Sequence, residues 1–303
     1  MNRYRMKALV VSAALALGFG VAQAGPVIID GSDAEEHGGV SGGVNFNGWE
    51  YFQRGFENLL PQVGNGNNVV VCLGCTGNTQ AAFASAFDLA AKPVGWTRET
   101  LDGATAITNF FADTLNRKLA NTGLIYIPTG EGTTSGGITA AELAVINLNA
   151  LAINTFVGGA GNPLAGGGLF AHGEGGTVGA WGWLTSLIPG ISAVDSGGGS
   201  NLELTAAGAA AFPGLSNADI QGATPWHNHF EGSFGGLQVL VQTTSGPAGR
   251  AVVLGGGAGT VIGCGLPGQP PCQTNVPEPE TLSLMGIAGL AMLLTGLRRR
   301  RAK

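Results

Sequence analysis

The chain has 303 residues, 44% of them hydrophobic, with a formal charge of −5 and a sequence pI near 5.3. Eight of its 14 basic residues lie in the first seven residues or after Leu297, so residues 25–280 keep six basic residues against 19 acidic ones, a formal charge of −13. A body this acidic repels nucleic acid and anionic lipid, which excludes nucleic-acid binding as its function.

In chain order, the first segment is a leader. Arg3, Arg5 and Lys7 precede an apolar run over 8–21, and Ala22-Gln23-Ala24 offers the small residues that signal peptidase requires. Residues 1–24 therefore read as a signal peptide, with an exported domain over 25–255.

Strands and helices alternate through that domain. Continuous apolar runs at 26–30, 69–73, 124–128 and 168–172 have the composition of strands buried on both faces. Helical spacing of apolar residues appears over 47–60, 80–91 and 104–120. Thr139-Ala-Ala-Glu142 is a capping box opening a helix that runs to about 157. A short helix at 180–188, a strand at 191–194, a helix at 205–211 and an antiparallel strand pair at 236–243 and 250–254 follow. This alternation predicts an α/β fold, a three-layer sandwich of flavodoxin-like type with a mainly parallel sheet. Glycine and proline make up 54 and 14 residues and cluster between the elements at no fixed period, which excludes solenoid and collagen-like arrays.

Residues 256–275 form a Gly/Pro-rich linker. Beyond it Pro277-Glu278-Pro279 precedes an uncharged apolar run over 281–297, closed by Arg298 to Arg301. Seventeen helical residues reach roughly 25 Å, at the short end of a bilayer span, and the arginines hold its end on the cytoplasmic side. The triplet, apolar helix and basic tail together resemble the PEP-CTERM sorting signal of Gram-negative bacteria. That resemblance implies an inner-membrane-anchored precursor cut by an exosortase. It also implies a final place in the periplasm, on the outer surface or in an extracellular polysaccharide matrix. The partners so implied are signal peptidase, the exosortase and exopolysaccharide.

The body resembles the class I glutamine amidotransferase-like superfamily, its ThuA-like members in particular. The resemblance rests on the strand ending Ile29-Asp30, the segment Gly166 to Glu174 and the segment Pro225 to Glu231. Family amidases carry a nucleophilic cysteine at the turn after the fourth strand. Here that turn reads Phe170-Ala171-His172-Gly173-Glu174, so amidotransferase activity is not implied.

Chemistry in such folds sits at the carboxyl ends of the strands. That rule gathers Asp30, Asp33, Glu35, Glu36 and His37 with Cys72, Cys75, Thr129, Glu131, His172 and Glu174 as rim residues, with 226–231 as a wall or lid. His172 is the candidate base of an envelope hydrolase acting on glycan or peptide, oriented by Glu174 or Asp30. His227 and His229, two apart, point to one side of an extended segment and are candidate ligands for a divalent metal; the alternative is a loop closed by satisfied polar groups. No cofactor is firmly implied. In an oxidising compartment the four cysteines suggest two disulfides, and short separations favour Cys72 with Cys75 and Cys264 with Cys272. The alternative for Cys72-Leu-Gly-Cys75, a redox site, lacks the helix N-terminus such a site uses.

Overall fold

The computed structural model describes residues 25–91, 95–114, 116–130, 136–158, 166–173, 179–221, 226–244 and 249–256. The leader, the linker beyond Gly256, the tail helix at 281–297, Cys264, Cys272, Glu131 and Glu174 lie outside the described residues.

The apolar runs become parallel strands because each presents apolar side chains to both sides. They are β1 (Val27–Asp30), β4 (Val69–Leu73), β6 (Leu124–Ile127) and β7 (Gly168–His172). Val27, Ile29, Val71, Ile125 and Leu169 join one core, while Ile28, Val70, Cys72, Tyr126 and Phe170 join the other. That period of two is the pleat itself, and a core on each side requires helices on each side. One layer holds α1 (Gly48–Leu59) and α2 (Gly77–Leu89), supported by α7 (Ala206–Ala211) and α8 (Asn217–Gln221). The other holds α3 (Ala104–Phe111), α4 (Ala140–Leu148), α5 (Ala150–Gly158) and α6 (Leu184–Leu187).

A fifth parallel strand, β5 (Thr97–Leu101), forms the edge beside β4. Its sequence, Thr-Arg-Glu-Thr-Leu, carries no apolar run because the strand is half-exposed with a single partner. Beyond β1 the sheet turns antiparallel through β12 (Ala251–Gly256), β10 (Trp226–Gly232) and β8 (Ile191–Gly199). On its other edge β12 pairs with β11 (Gln238–Thr243), which in turn pairs with β9 (Leu202–Leu204). A separate hairpin joins β2 (Gly38–Ser41) and β3 (Val44–Asn47).

The full path is β5-β4-β6-β7-β1-β12-β10-β8. Counted along the chain, the five parallel strands therefore run 3-2-4-5-1, whereas a flavodoxin-like sheet runs 2-1-3-4-5. Moves from β1 to β4 and on to β5 use the α1/α2 layer. The return moves through β6 to β7 use the other layer, as right-handed crossovers require. Neighbours β1 and β7 thus send their following chain to opposite faces, which makes their carboxyl ends a topological switch point.

Three helical expectations are corrected. The helix foreseen over 104–120 ends at Phe111, and Asp113 then takes a left-handed φ of 56°. The helix foreseen to run from 139 to 157 divides at Asn149 into α4 and α5, bent by 60°; the Asn149 amide donates to Val145 O at 2.9 Å and caps α4. The short helix foreseen over 180–188 shrinks to α6. Residues 226–231, expected as a wall or lid, form strand β10, and β11 with β12 lies within the sheet and not at its edge. The capping box is formed as expected, with Glu142 N donating to Thr139 Oγ1 at 3.3 Å and Thr139 N donating to Glu142 Oε2 at 2.8 Å. Among the described residues no single helix is long and apolar enough to cross a membrane.

Close packing fixes α1 over β7. A Cβ at Gly55 would lie 2.4 Å from the Phe170 ring, so only glycine lets the helix approach this far. This approach closes an aromatic wall of Phe52, Phe56, Tyr126 and Phe170 around the end of β7.

Candidate functional site

Parallel pairing of β1 with β7 sets Asp30 opposite His172, each the last residue of its strand. After Asp30 the chain turns over the strand ends as Gly31-Ser32-Asp33-Ala34-Glu35-Glu36-His37 and drops Glu35 into the interior. The outcome is a buried acid–imidazole–acid triad. His172 Nε2 lies 3.2 Å from Asp30 Oδ2, and its Nδ1 lies 2.7 Å from Glu35 Oε2. All three side chains have zero exposure.

The carboxylates are well supplied with donors. Tyr126 Oη, Thr129 N and Thr129 Oγ1 donate to Glu35 Oε1 at 2.9, 2.8 and 3.1 Å. Ser32 N and Ser32 Oγ donate to the two Asp30 oxygens at 2.8 and 3.0 Å. The imidazole is held differently: its Nδ1 is within hydrogen-bond distance of Tyr126 Oη at 3.0 Å, whereas its Nε2 and Glu35 Oε2 form no aligned hydrogen bond, so charge and close approach dominate there. Rings of Phe52 and Phe170 flank it, with centroids at 5.1 and 4.8 Å.

Burial would by itself lower the His172 pKa, but the Glu35 and Asp30 carboxylates override it and raise it to about 10. For Glu35 burial acts upward, and the His172 charge beside it, together with the hydrogen bond from Thr129 N, holds the carboxyl below its ordinary value. Burial, then Asp30 for Tyr51 and Glu35 for Tyr126, pushes both phenols well above their ordinary value, so both remain protonated. At neutral pH the triad is one imidazolium between two carboxylates.

A second group lies one turn outward. β10 takes over the β12 edge where β1 ends, and Gly31 O accepts the His227 and Asn228 amides at 2.8 and 2.9 Å. That crossing sets His227 Nε2 3.0 Å from Asp33 Oδ2, and His37 Nε2 reaches the same oxygen at 3.2 Å. Asp33, Glu36 and His37 each offer a ligand atom, all within 4.8 Å of one another.

The rim residues foreseen from sequence are distributed as follows. Asp30, Glu35, Thr129 and His172 meet in the triad, while Asp33, Glu36, His37 and His227 meet above it. His227 and His229 face different acids: the β10–β8 register shifts between Trp226 and Asn228, and His229 Nε2 lies 3.0 Å from Glu231 Oε1. Cys72 and Cys75 form a disulfide at the end of β4, both buried. Glu174 falls outside the described residues. Sequence reasoning gave no role to Tyr126 or Tyr51. The available signal for Tyr126 was a phenol inside an otherwise apolar strand, since a buried hydroxyl demands a partner.

A family model for the PEP-CTERM protein-sorting motif matches residues 275–301. No curated protein matches the chain, and no solved structure does. The motif implies export, membrane processing and recognition by an exosortase-type protease.

Proposed function

We propose that this chain is a protein of the cell surface or extracellular polysaccharide matrix, delivered there by exosortase processing, with a body that serves as a stable folded module and not as an amidase. The sorting motif at 275–301 carries the proposal. The body supports it in two ways: the turn after β7 has no cysteine nucleophile, and zero exposure of Asp30, His172 and Glu35 removes the triad from contact with substrate.

The test is processing in the native host. Replacing Pro277, Glu278 and Pro279 with alanine is expected to leave a full-length membrane-held species, whereas the parent accumulates a shorter species lacking Arg298 to Arg301. Equal mobility and equal fractionation of the two would overturn the proposal.

A second reading, an envelope hydrolase using His172 with Asp30 or Glu174 on glycan or peptide, draws on one observation. Asp30 and His172 pair at 3.2 Å at a topological switch point. It requires the 31–37 turn to lift, because that turn inserts Glu35 where substrate would bind.

A further inference from the structure

We propose that Asp33, Glu36 and His37 form a binding site for a divalent transition-metal ion of the zinc class, with His227 as the residue that positions Asp33. The donor set of one imidazole nitrogen and two carboxylates is one that zinc-class ions accept.

Two observations carry the proposal. The three ligand atoms lie within 4.8 Å of one another on a single tight turn, so one ion can reach all of them. Independently, Asp33 is 97% buried, at 3% exposure, and its Oδ1 has no hydrogen-bond partner. A buried carboxylate oxygen without a donor is costly, and an ion at this position would satisfy it.

His227 arrives from β10, 194 residues along the chain, and fixes the other oxygen of the same carboxylate at 3.0 Å. This division of labour, one oxygen to the ion and one to an orienting imidazole, is how outer residues hold a ligand in register. The His37 side chain is 41% exposed, so the ion would enter from solvent and keep a position for water. Bound there, it would clip the turn that roofs the triad.

The experiment is calorimetric titration of Zn²⁺ into the untagged mature protein after removal of metal with chelator. One ion per chain is expected. His37→Gln, at an exposed position that leaves the fold intact by circular dichroism, is expected to weaken binding at least 100-fold. His227→Gln is expected to weaken it about tenfold, within the range for residues that orient a ligand, and His229→Gln to leave it unchanged. Absence of Zn²⁺ binding by the parent, parent-like binding by His37→Gln, or a loss in His229→Gln equal to that in His37→Gln would each overturn the site.

Discussion

Replacing His172 with glutamine removes the only cation between Asp30 and Glu35, at 3.2 and 2.7 Å, and leaves two buried carboxylates facing each other. Breaking a buried ion pair from one side costs about 3–5 kcal/mol, since the remaining charge is uncompensated. The pH dependence is the sharper signature. In the folded parent His172 titrates at about 10, against 6.5 for the ordinary side chain. Its contribution is therefore complete below pH 6.5 and is lost as pH rises through 10, with a slope approaching about −1.4 kcal/mol per pH unit between them. Integrated over that interval the contribution is on the order of 5 kcal/mol. In His172→Gln that slope disappears. Glu35, fully buried and no longer held down by the His172 charge, binds a proton more readily when folded than when unfolded, so acidification from pH 7 stabilises the variant. Urea unfolding followed by tryptophan fluorescence at pH 6, 7, 8 and 9 reads both effects, and titrations elsewhere cancel in the difference between the two proteins. Parallel pH profiles, or a loss below about 1 kcal/mol at pH 6, would refute the charged triad.

Two further substitutions test the packing that holds this site. Glu142→Ala removes the acceptor for Gly103 N at 2.7 Å and for Thr139 N and Thr139 Oγ1, both at 2.8 Å, so urea midpoints should report a loss of about 1–3 kcal/mol. Gly55→Ala would gain up to about 1 kcal/mol on an open helix, but here its Cβ meets Phe170 at 2.4 Å, and a net loss of about 1–3 kcal/mol is expected; a gain would show that α1 rides higher over β7.

How far the sequence revealed this molecule depends on what each segment buries. Strands β1, β4, β6 and β7 were legible because burial on both faces demands an unbroken apolar run. β5 was not, because an edge strand with one partner carries Arg98 and Glu99 without cost. β10 reads as a loop from sequence since it places His227, Asn228 and His229 between Trp226 and Phe230, and pairing with β8 and β12 makes it a strand. Apolar residues continue at helical spacing beyond Phe111, yet the backbone turns left-handed at Asp113, which periodicity cannot register. Within the site, Asp30 and His172 were readable as strand ends. Their adjacency was not, because it depends on β1 pairing with β7 across 142 residues and on a strand order no local pattern encodes.

The same strand order explains why the chemistry stands where it does. A switch point between β1 and β7 normally leaves a crevice for a ligand. Here the turn after β1 is short, and its fifth residue, Glu35, enters the crevice and is satisfied there by Tyr126, Thr129 and the His172 imidazolium. A carboxylate bound this way cannot retreat without exposing the opposite charge, so the turn is pinned and the crevice stays filled. The groups left facing solvent are those on the outside of the same turn. Asp33 and Glu35 are two apart and serve opposite sides of the roof, one joined to His37 and His227 and the other to the triad. Among the described residues, the groups at this switch point that solvent reaches stand one layer outward from the strand ends. There the His37 and His227 side chains are 41% and 24% exposed, while His172, the base foreseen from sequence, is sealed in by the fold.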